Sequence, residues 1–380
     1  MSDLPLLRVS ERASFKRCPL AWDWYWNQGW RRRGRNPTAL WLGTGVHIAM
    51  ADWYIPGTKR GIDPRETWNK YCEEEIRAVK IDRVKDTDEV VSEWTDAREL
   101  GEHMLAHYLE TYGNDDSWDV IAREQTFGVK IPHPLNKGQA ITRLHGTFDG
   151  VYRCLECGKI KLMEHKNYAT LSEDHLSLDD QGGTYCTVST FTLRAQSLIG
   201  PKEYVRGITY NMLRKAYKDD RPRNAEGLYT NKPLKAHFIH ALWESDKPEV
   251  KQALLGRDIR FLERLSIAQL TASAEKYGIE VLGEISKQQP QEYFLRTFIE
   301  RTWKEQKGQI NRIGAEALNM QRFRSGEQPM YKTPRYDCKR FCDFFEVCEV
   351  HENGGDTGDI LDALFDRHDP YADHRKSTAE

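Results

Sequence analysis

The sequence lacks any long apolar run. Its two longest stretches without Asp, Glu, Lys or Arg, residues 36–51 and 181–193, are too short to cross a bilayer, and both contain glycine and polar side chains. The opening residues, MSDLPLLRVSERASFKRCP, place charges early and have no apolar signal core, so an intracellular, cytoplasmic protein is expected. Charge of one sign is also missing: 56 Lys and Arg against 58 Asp and Glu leave a formal net charge of −2. That balance excludes a uniformly basic coat while permitting local basic patches. No G-x-x-x-x-G-K-[ST] occurs, because Gly158–Lys159 is followed by Ile160, so a P-loop motor is excluded. No internal repeat and no Pro-, Gly- or Ser-rich linker divides the 380 residues. What remains, 39% hydrophobic residues and 11% aromatics, describes a globular chain with a charged surface.

The eight cysteines are informative by position. In a reducing compartment they do not read as disulfides, and clustered thiols suggest a metal first. Cys338, Cys342 and Cys348 crowd into eleven residues, while Cys18 stands alone near the other end. Thiolates at this spacing can face one soft metal centre, iron–sulfur or a four-thiolate Zn²⁺, which spacing does not distinguish. Cys154 and Cys157 form a C-x-x-C read as a hairpin turn, and Cys72 and Cys186 read as packing residues.

Hydrophobic periodicity predicts a helix over residues 88–112, with Trp94, Ala97, Met104 and Tyr108 on one stripe. Strands are predicted over 119–131, 140–153 and 159–167, then a helix over about 179–198 and a strand over 204–213. Residues 232–324 read as mainly helical with a strand at 293–299. This order gives a mixed α/β core.

Two of these strands carry acidic residues at telling places. G-T-F-D-G puts Asp149 on the second, and K-I-K-L-M-E-H-K-N puts Ile160, Leu162, Glu164 and Lys166 on one face of the third. Charges beside an apolar row are costly unless paired or bound to metal. On adjacent strands, Asp149 and Glu164 can converge on one hard cation, Mg²⁺ or Mn²⁺, with Lys166 beside the attacking water. Upstream, Gly43 lies one helical turn before His47 and bares that face; downstream, Gln181 and Tyr185 share a helix face.

In this order, His47, Glu124, Asp149, Glu164-x-Lys166, Gln181 and Tyr185 resemble the RecB-type branch of the PD-(D/E)XK nuclease superfamily. One departure is Gly182–Gly183, where the branch usually has a hydrophobic residue after the glutamine. The resemblance implies a restriction-endonuclease-like mixed sheet flanked by helices. It further implies that Asp149, Glu164, the backbone carbonyl of His165 and His47 hold the divalent ion, with Glu124 as an additional carboxylate. Lys166 then assists the water, and Gln181 and Tyr185 order the site or contact the strand. The set Cys18, Cys338, Cys342 and Cys348 is similar to the [4Fe–4S] staple of RecB-type and CRISPR-associated adaptation exonucleases, with Zn²⁺ as the alternative. There the cluster joins the N- and C-terminal segments around the nuclease core.

The organisation expected is an N-terminal segment (1–37), a nuclease core (38–231), a helical and cluster-binding region (232–350) and a flexible tail (351–380). Arg31, Arg32, Arg33 and Arg35 are candidates for phosphate contacts, and Lys215 lies in a second basic stretch that borders the channel. The neighbouring Trp22, Trp24, Tyr25, Trp26, Trp30 and Trp41 are candidates to stack bases of a single strand, although at helical spacing most of them are expected in the core. The function expected is a metal-dependent exonuclease acting on DNA with a free end in recombination, repair or end processing, phage included, with any unwinding left to a helicase or recombinase partner. A structure-specific endonuclease and a non-catalytic, cluster-stapled DNA-binding subunit are the alternatives.

Overall fold

The computed structural model describes residues 4–33, 38–82 and 87–372. The chain divides into two units, residues 1–216 with 293–380, and residues 217–292. The larger unit begins with β1 (Leu6–Arg8), α1 (Val9–Arg17), α2 (Pro19–Trp22) and β2 (Trp30–Arg32). Pro19 opens α2, where its missing amide and fixed φ carry no penalty. Helices α3 (Thr38–Trp53), α4 (Pro64–Asp82) and α5 (Thr87–Tyr112) follow. The predicted stripe of α5 buries Trp94, Ala97, Met104 and Tyr108, with Trp94 stacked on Trp41 of α3 at 4.7 Å. Gly101 on the same helix is forced, since a Cβ there would stand 2.3 Å from the Trp68 ring.

Next come the long hairpin β3 (Trp118–Pro132) and β4 (Ala140–Cys154), then β5 (Ile160–Tyr168), α6 (Asp180–Ala195) and β6 (Val205–Arg214). The smaller unit holds α7 (Lys235–Trp243), α8 (Pro248–Leu254), α9 (Ile259–Arg264) and α10 (Ile267–Lys276) around Phe238, Leu242, Leu262 and Leu270. The larger unit resumes with β7 (Phe294–Glu300) and α11 (Trp303–Arg324). The latter starts at a capping box in which Glu305 N–H donates to Thr302 Oγ1 and Thr302 N–H to Glu305 Oε2. Short helices α12 (Cys338–Phe341), α13 (Phe345–Glu352) and α14 (Gly358–Leu364), then β8 (Phe365–Arg367), complete it.

Among the described residues the main sheet has six strands in the path β1-β4-β5-β6-β7, with β3 on the other edge of β4. The β5–β6 pair is parallel, as a crossover through α6 requires; β3–β4, β4–β5 and β6–β7 are antiparallel. This is the mixed α/β sheet flanked by helices that the sequence predicts, and the predicted strands recur with small shifts at their ends. β1 was not anticipated, being too short to show alternation.

One face of the sheet packs Phe148 and Leu162 against Val188 of α6 and Ile313 of α11; the other packs Met163 and Tyr152 beneath α3 and α5. Arg12 of α1, wholly buried, ties the first layer together by pairing with Glu316 at 2.6 Å and Asp180 at 3.2 Å and donating to Thr184 Oγ1 at 2.7 Å. The segment after residue 351, expected as a flexible tail, instead carries α14 and β8. Phe365 is buried against Phe344, and β8 pairs antiparallel with β2. No described helix is long and apolar enough to cross a membrane.

Candidate active site

The register of β4 on β5 pairs Gly150 with Met163, which puts Asp149 and Glu164 at the next step of the ladder. Asp149 Oδ2 accepts from the His165 backbone N–H at 2.7 Å and lies 3.3 Å from His47 Nδ1, which α3 carries. Lys166 Nζ donates to Glu164 Oε1 at 2.6 Å and to Gln181 Oε1 at 2.7 Å, and Gln181 Nε2 donates to Tyr185 OH at 3.1 Å. Thus β4, β5, α3 and α6 bring His47, Asp149, Glu164, Lys166, Gln181 and Tyr185 into one connected group.

The first glycine after Gln181 has a local explanation. Asp179 caps α6 by accepting from Gly182 N–H at 2.8 Å, and Tyr210 OH donates to the same carboxylate oxygen at 2.7 Å. A Cβ on Gly182 would stand 2.0 Å from that hydroxyl. Gly182 is therefore required where the Tyr210–Asp179 contact crosses the first turn of α6, and Gln181 still reaches Lys166.

Burial sets the electrostatics. Glu164 is 2% exposed; burial, then the neighbouring Asp149 charge, push its pKa up to about 8. Its Oε2 has no hydrogen-bond partner among the described residues. Burial would also raise Asp149, but the hydrogen bond with His47 and the charges around it hold this carboxyl below its ordinary value. Burial and Asp149 push Glu124 up to about 7. Glu124 adopts a φ of +43°, an uncommon backbone state for a side chain of its size, and it lines the same cleft as Asp149. The cleft, about 770 Å³, is also lined by Gly43, His47, Arg123, Asn167 and Lys215. An orphaned carboxylate oxygen beside a second carboxylate fits a hard divalent cation.

His165 plays two parts. Its backbone N–H serves Asp149, while its ring packs against Tyr54 at 5.6 Å, stands edge-on to the His47 ring at 6.1 Å and meets Asn211 Nδ2 at 2.9 Å. Burial pushes the imidazole down to about 3, so the ring is neutral. Beneath it, Arg296 of β7 donates to Asn211 Oδ1, Asp115 Oδ1 and Tyr54 OH at 3.0, 2.9 and 2.9 Å. Sequence reasoning missed this polar layer because its members come from four separate segments with no common spacing.

The profile of the PD-(D/E)XK nuclease superfamily matches residues 7–349. The chain belongs to that superfamily. Membership indicates a nuclease hydrolase, with metal-dependent phosphodiester cleavage as the activity and DNA as the implied substrate. No curated protein matches the chain.

In this superfamily member the remaining expected residues lie elsewhere. Arg32 pairs with Glu346 at 2.7 Å and Arg33 with Asp366 at 2.7 Å, fastening β2 to the C-terminal segment; Arg31 is exposed beside them, and Arg35 lies outside the described residues. Trp22, Trp24, Trp26, Trp30 and Trp41 are buried. Cys18, Cys338, Cys342 and Cys348 are free thiols lining one cavity of about 390 Å³, with Trp24 and Phe344 in its apolar wall. The Thr333 and Arg335 N–H groups donate to the sulfurs of Cys18 and Cys338 at 3.4 and 3.2 Å. No group of three or more His, Cys, Asp or Glu poised to hold a metal ion occurs among the described residues, in either the cleft or the cavity. Cys154 is buried, Cys157 is exposed at the β4–β5 turn, and Cys72 and Cys186 are core.

Proposed function

We propose that this nuclease belongs to the RecB-type branch and hydrolyses phosphodiester bonds at DNA ends, in recombination, repair or end processing. The observation that carries the reading is the continuous contact Glu164–Lys166–Gln181–Tyr185 beside Asp149 and His47. Asp149, the unpartnered Oε2 of Glu164, the His165 carbonyl and His47 would hold Mg²⁺ or Mn²⁺, with Glu124 as a further carboxylate. When bound, such an ion supplies Lewis-acid charge at the scissile phosphate and lowers the pKa of water. Lys166, held by Glu164 and Gln181, orients the attacking water through Nζ. Tyr185 and Gln181 fix that amine so that its position does not depend on the arriving strand. The chain carries no P-loop, so duplex unwinding, where needed, falls to a separate motor protein.

For the other end of the chain the reading is a [4Fe–4S] cluster on Cys18, Cys338, Cys342 and Cys348. Its support is that all four thiols line one apolar cavity and that backbone N–H groups already address two of the sulfurs. Cluster ligation would join residues 1–37 to the segment ending near residue 350 around the nuclease core. The test is an anaerobic preparation assayed for iron, then offered linear and closed circular DNA with Mg²⁺ or Mn²⁺. Degradation of linear DNA alone supports an end-directed enzyme. Nicked circles would overturn end-directedness, and intact DNA of both forms would overturn the catalytic reading.

A further inference from the structure

One polar side chain in the cleft is left without work by the chemistry above. Asn167 lies two residues past His165 on β5, about 6.6 Å further along the strand, which is the scale of one nucleotide. Both its Nδ2 and its Oδ1 are buried, and neither has a hydrogen-bond partner among the described residues. It lines the same cleft as His47, Glu124 and Asp149. The polar side chains around it are engaged: Asp149 by His47 and the His165 amide, Lys166 by Glu164 and Gln181, Asn211 by Arg296. An unsatisfied buried amide costs roughly 1–3 kcal/mol, so its retention beside an open cleft calls for a partner that arrives from outside.

The surroundings say what kind. Across the cleft, Gly43 of α3 has no atom within 4 Å of the place where a Cβ would stand, so the space in front of this wall is open. Lys215, which follows β6, lines the same cleft and adds positive potential. A neutral N–H donor near an ammonium suits an acceptor that carries negative charge and fits an open groove. A phosphodiester oxygen has those properties, and hydrogen bonds to charged acceptors are the strong ones.

Resting on the nuclease reading, we propose that Asn167 is a strand-binding residue that donates Nδ2–H to a phosphate of the nucleotide adjoining the scissile bond. The residue fixes where the strand lies relative to Asp149 and Glu164 without touching the ion or the attacking water.

The test compares wild type, Asn167→Ala and Asn167→Asp on linear DNA, measuring kcat, KM and the Mn²⁺ concentration for half-maximal rate, with thermal midpoints as the control for folding. Asn167→Ala is expected to raise KM about tenfold and to leave kcat and the Mn²⁺ midpoint within about twofold. Asn167→Asp keeps the shape, removes the donor and sets a carboxylate against the phosphate, so its KM is expected to exceed that of Asn167→Ala. An unchanged KM in Asn167→Ala overturns the inference. So does a fall in kcat together with a raised Mn²⁺ midpoint, which would place the residue's action on the ion. Wild type that cleaves while both variants keep its KM defeats this inference alone; wild type that neither binds nor cleaves DNA defeats the nuclease reading and this inference with it.

Discussion

Asp149, Glu164 and Lys166 come from one hairpin, within eighteen consecutive residues, whereas Cys18 meets Cys338, Cys342 and Cys348 only when the two ends of the chain come together. The carboxylate site is polar and under electrostatic stress: a buried Glu164 with an orphan oxygen, a second carboxylate beside it, and a Glu124 with positive φ. The cysteine cavity is walled by Trp24, Phe344 and other apolar groups that pack well by themselves. On the function proposed above, the site gives up stability to hold charges in place for chemistry, and the cysteine end offsets the entropy of closing a loop of more than 300 residues. Substitutions in the two regions should therefore separate activity from stability in opposite directions.

The largest effect expected is from Lys166→Ala and Glu164→Gln. Each should lower the cleavage rate by about 10²–10⁴-fold. Chelator-treated Glu164→Gln sets relief of a buried carboxylate with one unpartnered oxygen against loss of the charge that pairs with Lys166, so its midpoint should stay within roughly 5 °C of chelator-treated wild type. Calorimetry beside the nuclease assay checks both; a large drop in midpoint would show that Glu164 is structural. Cys342→Ser should do the reverse. It is expected to lose iron and to lower the thermal midpoint by about 5–10 °C, with activity falling only as far as folding does. Iron retained at the wild-type level would break the contrast.

Two smaller effects sharpen the site's side. Gly182→Ala forces a methyl group into the Tyr210 hydroxyl that helps cap α6. A cost of about 1–3 kcal/mol is expected, read by urea unfolding. Gln181→Ala leaves Lys166 its Glu164 partner but removes the Lys166–Gln181 hydrogen bond and, with it, the link to Tyr185. Its cleavage rate should fall about tenfold, with the fold intact by circular dichroism.

The two regions also differ in how far they could be read from residues alone. Glu164 and Lys166 announce themselves because a strand has a period of two, so an apolar face that ends in a carboxylate and an amine is visible in one dimension. His47 entered through the resemblance alone, since Gly43 one turn earlier only bares the helix face beside it. The role of Gly182 was not legible, since its reason is Tyr210 on another strand. Asn167 and the layer of Arg296, Asn211, Tyr54 and Tyr108 carried no pattern either, because each member is an ordinary residue until the sheet sets them side by side. The arginine run gave no sign that Arg32 and Arg33 would be engaged by Glu346 and Asp366, more than 300 residues away.

By itself the sequence determined the mixed α/β order, the hairpin bearing Asp149 and Glu164, and the grouping of three thiols near residue 340. All of these follow from short-range periodicity and spacing. Only the tertiary structure decided which charges are left unpaired, which face of the His165 strand meets the cleft, and that β2 and β8 close the chain's ends against one another. Burial and pairing are properties of the assembled fold, and no local pattern of residues contains them.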